Sequence, residues 1–194
     1  SGTLYAQRDM KATVSGQLNN AGMIVAARHT RVGAGQIDSS KEGVFGAGVK
    51  NAGSLGESGD LTLTSSGKLA SHGQNLAAGK LAVTGTDIDL SDSQSSGAEV
   101  AVPTGGMLNN DRGAISATRG DLTLTSGQLT NSGGSVYAGR DVNASVSGQL
   151  SNDGLIAAGR DTHARAGEIS SGINSVFGGG INADGSVRQS GDLT

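Results

Sequence analysis

Residues 127–167 restate one template twice: GQLTNSGGSVYAGRDVNASVS is followed by GQLSNDGLIAAGRDTHARAG. Leu129 becomes Leu150, Asn131 becomes Asn152, and Arg140-Asp141 becomes Arg160-Asp161. A period near twenty is too short for the two-helix units of helical repeats and matches one coil of a β-solenoid. The first apolar residue after each G-x motif marks the period along the chain: Leu18, Ile37, Leu69, Ile88, Leu108, Leu129, Leu150 and Ile169. Successive spacings are 19, 32, 19, 20, 21, 21 and 19, so one interval alone departs from the coil length. That interval holds either an extra short coil or an inserted loop.

A longer repeat overlies the short one. Residues 1–62 align without a gap to 133–194, an offset of 132, with roughly half the positions identical. Tyr5 recurs as Tyr137, Val44-Phe45-Gly46 as Val176-Phe177-Gly178, and SGDLT at 58–62 as SGDLT at 190–194. The irregular interval falls inside this repeat, so its irregularity is inherited. GDLTLTS at 59–65 also returns at 120–126, which predicts about three coils between the two.

Within a coil the apolar residues alternate. Leu61/Leu63, Leu122/Leu124 and Val142/Ala144/Val146 occur in bursts of period two, too short for helices, with Gly, Asn, Asp and Ser clustered between them. The pattern predicts an all-β parallel β-helix of about 20-residue coils with three short strands each. Some ten coils spaced ~4.8 Å apart would make a rod roughly 45 Å long. Composition agrees with a thin core: 34 glycines, 2% aromatics and 35% apolar residues are too little for a spherical interior. Neither end carries a polar cap, so the reading is a single repeat segment, 1–194, cut from a much longer chain.

Candidate sites are few. Asn20, Asn110, Asn131 and Asn152 fall at one corner and are expected to bond coil to coil as an amide ladder rather than to hold a ligand. Arg8, Arg28, Arg119, Arg140 and Arg160 stack beside Asp9, Asp121, Asp141 and Asp161, a column of alternating sign with little stabilising power if exposed. Arg119-Gly120-Asp121 spells a cell-attachment tripeptide, generated here by the repeat's own corner running into a strand. Asp87, Asp89 and Asp92 are the densest carboxylates, but no calcium-binding nonapeptide accompanies them. His29, His72 and His163 occupy unrelated positions, there is no cysteine, and no catalytic, cofactor or metal constellation is expected. The net charge of −3 gives no footprint for nucleic acid, and no apolar run approaches the ~18 residues that span a bilayer.

The units quoted above resemble the haemagglutinin repeats of the filamentous haemagglutinin family, which comprises large two-partner-secreted adhesins and contact-dependent growth inhibition effectors. The resemblance covers essentially the whole chain and weakens at 35–65 and 168–194. It implies a right-handed β-helix, secreted to the surface of a Gram-negative bacterium through an outer-membrane two-partner transporter that engages regions absent here. It also implies a monomeric rod, a structural shaft that carries a distal binding or toxin region. The alternatives are a binding module whose β-helix face recognises a host glycan or target-cell receptor and, less favoured, a β-helix polysaccharide lyase or hydrolase. Such enzymes need long loops over one sheet, and these coils are nearly loop-free.

Overall fold

The computed structural model describes residues 2–50, 54–187 and 190–194; residues 1, 51–53 and 188–189, which the long repeat spans, lie outside the described residues. The chain winds as a parallel β-helix of 21 strands, and among the described residues there is no helix. Each coil lays one strand on each of three faces. Face I runs through Thr3–Ala6, Met23–Ala26, Val44–Ala47, Gln74–Ala77, Gln94–Gly97, Ala114–Ala117, 135–138, 155–158 and Val176–Gly178, nine rungs in parallel register. Face II stacks 10–14, 30–34, Leu61–Ser65, Lys80–Thr84, Glu99–Pro103, Leu122–Ser126, Val142–Val146 and Thr162–Arg165.

Face III carries the marker residues. Leu18, Ile37, Leu69, Ile88, Leu108, Leu129, Leu150 and Ile169 are direct partners from rung to rung. The first seven are at most 8% exposed, whereas Ile169, on the last rung, is 49% exposed because no described strand stacks over it. Together with Leu61, Leu63, Leu122, Leu124, Ile115 and Val136 they form one continuous core column along the axis. Alternation is the cause: inward positions meet their equivalents above and below, and each coil needs only a handful of aliphatic side chains. The predicted three-coil distance from 59–65 to 120–126 is observed, since Leu61 pairs with Leu81, Leu81 with Val100 and Val100 with Leu122.

The 32-residue interval is an inserted loop, and nine rungs rather than ten follow from it. Between face I and face II the chain elsewhere spends one to four residues, but after Ala47 it leaves the helix and returns only at Leu61. The excursion is a short antiparallel hairpin, with Val49 bridged to Leu55 and the Lys50 amide donating to the Ser54 carbonyl at 2.8 Å. It recurs in the second copy, where Ile181 bridges Val187 and the Asn182 amide donates to the Ser186 carbonyl at 2.8 Å.

The V-F-G motif builds this departure. Phe45 points inward and is fully buried, while Gly46 points outward and leaves room for Val49 to fold back over face I against Val25. A Cβ on Gly46 would stand 2.8 Å from Val49 Cγ2 and 2.9 Å from Val25 Cγ1; a Cβ on Gly178 would collide with Ile181. At the neck Gly48 and Gly180 adopt φ of +73° and +69°, a region that favours glycine. A side chain on Gly59 or Gly191 would run into the backbone nitrogen of Gly48 or Gly180 as the chain crosses itself. One further device marks both loops. Thr30 and Thr162 replace the aliphatic residue otherwise found at that buried position of face II, and their hydroxyls donate to the Gly46 and Gly178 carbonyls at 2.6 and 2.8 Å.

Candidate functional site

The asparagines form a ladder over three coils. Asn110 Nδ2 donates to Asn131 Oδ1 at 2.8 Å, and Asn131 Nδ2 to Asn152 Oδ1 at 2.7 Å, all three side chains being buried. Their second amide hydrogens reach carbonyls of the next coil, Ser135 and Leu155. Asn20 stands apart: Ser39 occupies the next coil at this corner, and Asn20 Nδ2 donates to its hydroxyl at 3.2 Å. Below Asn110 the equivalent position is Leu90, which offers no donor, and Asn110 Oδ1 is buried without a hydrogen-bond partner. Its interior position is therefore structural, and it presents nothing to solvent.

A second ladder, not foreseen in the sequence, runs along the corner between faces I and II. The Asp9 carboxylate accepts the His29 amide (3.2 Å), His29 Nδ1 accepts the Asp60 amide (3.1 Å), and Asp60 accepts the Lys80 amide (2.9 Å). Higher up, Asp121 accepts the Asp141 amide, Asp141 that of Asp161, and Asp161 that of Asp192. The other two corners use the same device: Asp87 accepts from Met107, Asp111 from Ser132 and Asp153 from Asn174. A corner amide has lost its place in the strand ladder and requires an acceptor. His29 stands where Asp161 stands in the other copy and fills the same role through its ring nitrogen.

The arginines reinforce that ladder between coils. Arg28 grips Asp9 through Nε and Nη2 at 3.1 and 2.7 Å, and Arg160 grips Asp141 through the same atoms at 3.0 and 2.5 Å. Arg140 lies 3.7 Å from Asp121. The Arg28 guanidinium, with the His29 amide, lowers the Asp9 carboxyl to about 2. Arg112, with Lys41, does the same to Asp92, also to about 2. Arg160 likewise lowers Asp141. Arg112 and Asp92 occupy the left-handed region, φ 56° and 59°, at the stacked corner where the next coil has Gly133 at 62°.

The remaining candidates are dispersed. In the tripeptide, Gly120 is buried, Arg119 Nη2 folds back to donate to the Ala78 carbonyl at 3.0 Å, and Asp121 serves the corner ladder. The three residues lie along the rod surface, with no protruding loop. Asp87 and Asp89 do flank inward Ile88 and Leu90, as expected, but Asp87 accepts the Met107 amide and Asp89 caps a local turn at Ser91. His29, His72 and His163 bond to Asp60, Ser91 and Thr194 respectively, at separate places. Among the described residues no group of three or more His, Cys, Asp or Glu is placed to hold a metal ion. The surface recesses are open grooves, such as that lined by Thr104, Ser126, Ser145 and Arg165 beside the face II to III corner.

A parallel β-helix whose polar side chains are committed to the neighbouring coil defines a class of solenoid repeat proteins. The haemagglutinin repeat model matches residues 1–49, 46–98, 83–159 and 140–194, and the chain belongs to this haemagglutinin-repeat family. It is similar to Toxin CdiA of Yersinia pestis, 28% identical over 209 residues, covering 95% of this chain and 6% of that protein. It is also similar to tRNA nuclease CdiA-2 of Burkholderia pseudomallei (strain 1026b), 34% identical over 146 residues, covering 75% of this chain and 4% of that protein. The chain thus spans only a small part of the length of these relatives. No solved structure matches it.

Proposed function

We propose that this chain is a shaft segment of a large secreted bacterial surface protein, an adhesin or contact-dependent inhibition effector, whose distal binding or toxin region it holds away from the cell. The observation that carries this reading is the commitment of side chains to coil stacking: Asp9, Asp60, Asp87, Asp111, Asp141, Asp153 and Asp161 each accept a backbone amide from the following coil. A rod built this way transmits length and stiffness, and it needs no cleft. Export through an outer-membrane two-partner transporter and a place on the outer cell surface accord with the family and with the two CdiA relatives. Toxin and nuclease activities, which those relatives' names record, are assigned to regions outside these residues.

The test is a length change in the whole secreted protein. Residues 62 and 194 are equivalent, so excising 63–194 removes six coils in register and shortens the rod by roughly 29 Å. Electron microscopy should show the shorter rod, with receptor binding or target-cell inhibition retained. Complete loss of that activity from a folded, exported protein would mean that the segment recognises the target itself.

A further inference from the structure

The two excursions stand on the same side of the rod. Face I rungs run from Val44 through Gln74, Gln94, Ala114, Ser135 and Leu155 to Val176, six steps and therefore roughly 29 Å. Each excursion folds its first apolar residue back over face I, burying the outward positions Val25 and Ala157. Four rungs between them are left uncovered by Val49 and Ile181.

The floor is chemically distinct from the corners beside it. Its outward positions come from the strands QNLA, QSSG, AISA and SVYA, and none is charged. Gln74 and Gln94 are exposed partners with Ala114 above them, Leu76, Ser96 and Ser116 stack beside them, and Ser135 and Tyr137 close the upper end. Both flanking corners carry ions instead: Arg119 and Glu99 on one side, the Arg112–Asp92 pair on the other. The chain has only two tyrosines, and Tyr137 is the one between the hairpins; Tyr5 lies below the lower hairpin. An uncharged strip in which amides and hydroxyls at strand spacing are interrupted by Leu76 and Ala114 and end on one aromatic ring is fitted to several weak hydrogen bonds and a stacking contact. A polyanion gains nothing from it, and a folded protein finds too little apolar surface.

We propose that the face I strip between the two excursions binds an uncharged linear polysaccharide lying along the rod axis, with Tyr137 as stacking platform and Gln74 and Gln94 as hydrogen-bonding groups. The proposal adds a ligand site to the shaft and does not depend on the identity of the distal region.

The two tyrosine rings provide the test. The intact 1–194 rod is titrated with cellohexaose, maltohexaose and chitohexaose, with heparin as polyanionic control, while ring signals are followed by NMR. The expected result is saturable shift of Tyr137 by at least one neutral probe, unchanged Tyr5, no response to heparin, and insensitivity to salt. Tyr137→Ala should weaken binding about tenfold and Gln94→Ala by a smaller factor, with the circular dichroism of both variants unchanged. If Tyr137→Ala does not fold, Tyr137→Phe, which keeps the ring, should fold and retain binding. Silence of Tyr137 with every neutral probe overturns the proposal. So do equal shifts at Tyr5, or binding that heparin competes for and salt abolishes, since these place the ligand on the charged corners.

Discussion

Coils 69–97 and 107–158 share one backbone register but solve the same interior problem differently. In the upper coils the polar group sits at the face III to I corner, as Asn110, Asn131 and Asn152, and face I presents Ile115, Val136 and Ile156 to the core. In the lower coils that corner holds Ser71 and then Leu90, and buried polar groups appear on face I as well, as Asn75 and Ser95. There Ser71 Oγ donates to Asn75 Oδ1 at 2.9 Å and Asn75 Nδ2 to Ser95 Oγ at 3.0 Å, with Ser93 3.2 Å from Ser95. The fold therefore requires a bonded polar seam near this edge but leaves its position free. The exchange has one defect, at the junction, where Asn110 Oδ1 faces Leu90 and goes unpaired.

The comparison can be broken outright by charging the core that both regions share. Leu129→Asp should cost about 4 kcal/mol or more, from lost burial and a desolvated carboxylate, and should collapse β circular dichroism or the urea midpoint. Next comes the ladder: Asn131→Leu removes the acceptor of one Asn110 amide hydrogen and one of the two donors to Asn152 Oδ1, the Gly154 amide remaining, for about 2 kcal/mol in urea unfolding. The same change at Asn75 orphans only Ser-type partners that can rotate, so it should cost less. Acid should act through the corners. Because the folded pKa of Asp9 and Asp92 is lowered to about 2, their stabilisation is present above the unfolded value near ~3.9. It is lost as pH falls through the folded value, so thermal midpoints should drop between about pH 4 and pH 2. Asp9 is exposed and Asp92 half-buried, so salt should blunt the effect, more at Asp9. The smallest change sharpens the comparison: Leu90→Asn supplies the missing donor but forfeits a buried Leu. It should be destabilising by about 1 kcal/mol while raising hydrogen-exchange protection around Asn110.

Coil length, strand count and inward residues were legible because alternation and a twenty-residue period report directly on which side chains meet. All eight markers landed in one column. Of the four corner asparagines, Asn110, Asn131 and Asn152 bond to one another, whereas Asn20 meets Ser39 in the next coil, a substitution the template does not announce. Other features depend on groups that a sequence does not display. The corner aspartates were matched to arginines, yet they also accept the backbone amide of the following coil. The hairpin could not be told from an extra coil, since its evidence is the collision between Gly48 and Gly59. Thr30 and Thr162, polar where Leu or Val is usual, were the available signal.

The two ladders also have a direction. Asn110 and Asn131 donate through Nδ2 to the following coil, and Asp60, Asp141 and Asp161 accept amides from the following coil. A finished coil therefore exposes amide hydrogens and carboxylate oxygens that only its successor can satisfy. The two ends of a stack of coils are thus chemically different, and the rod has a built-in direction.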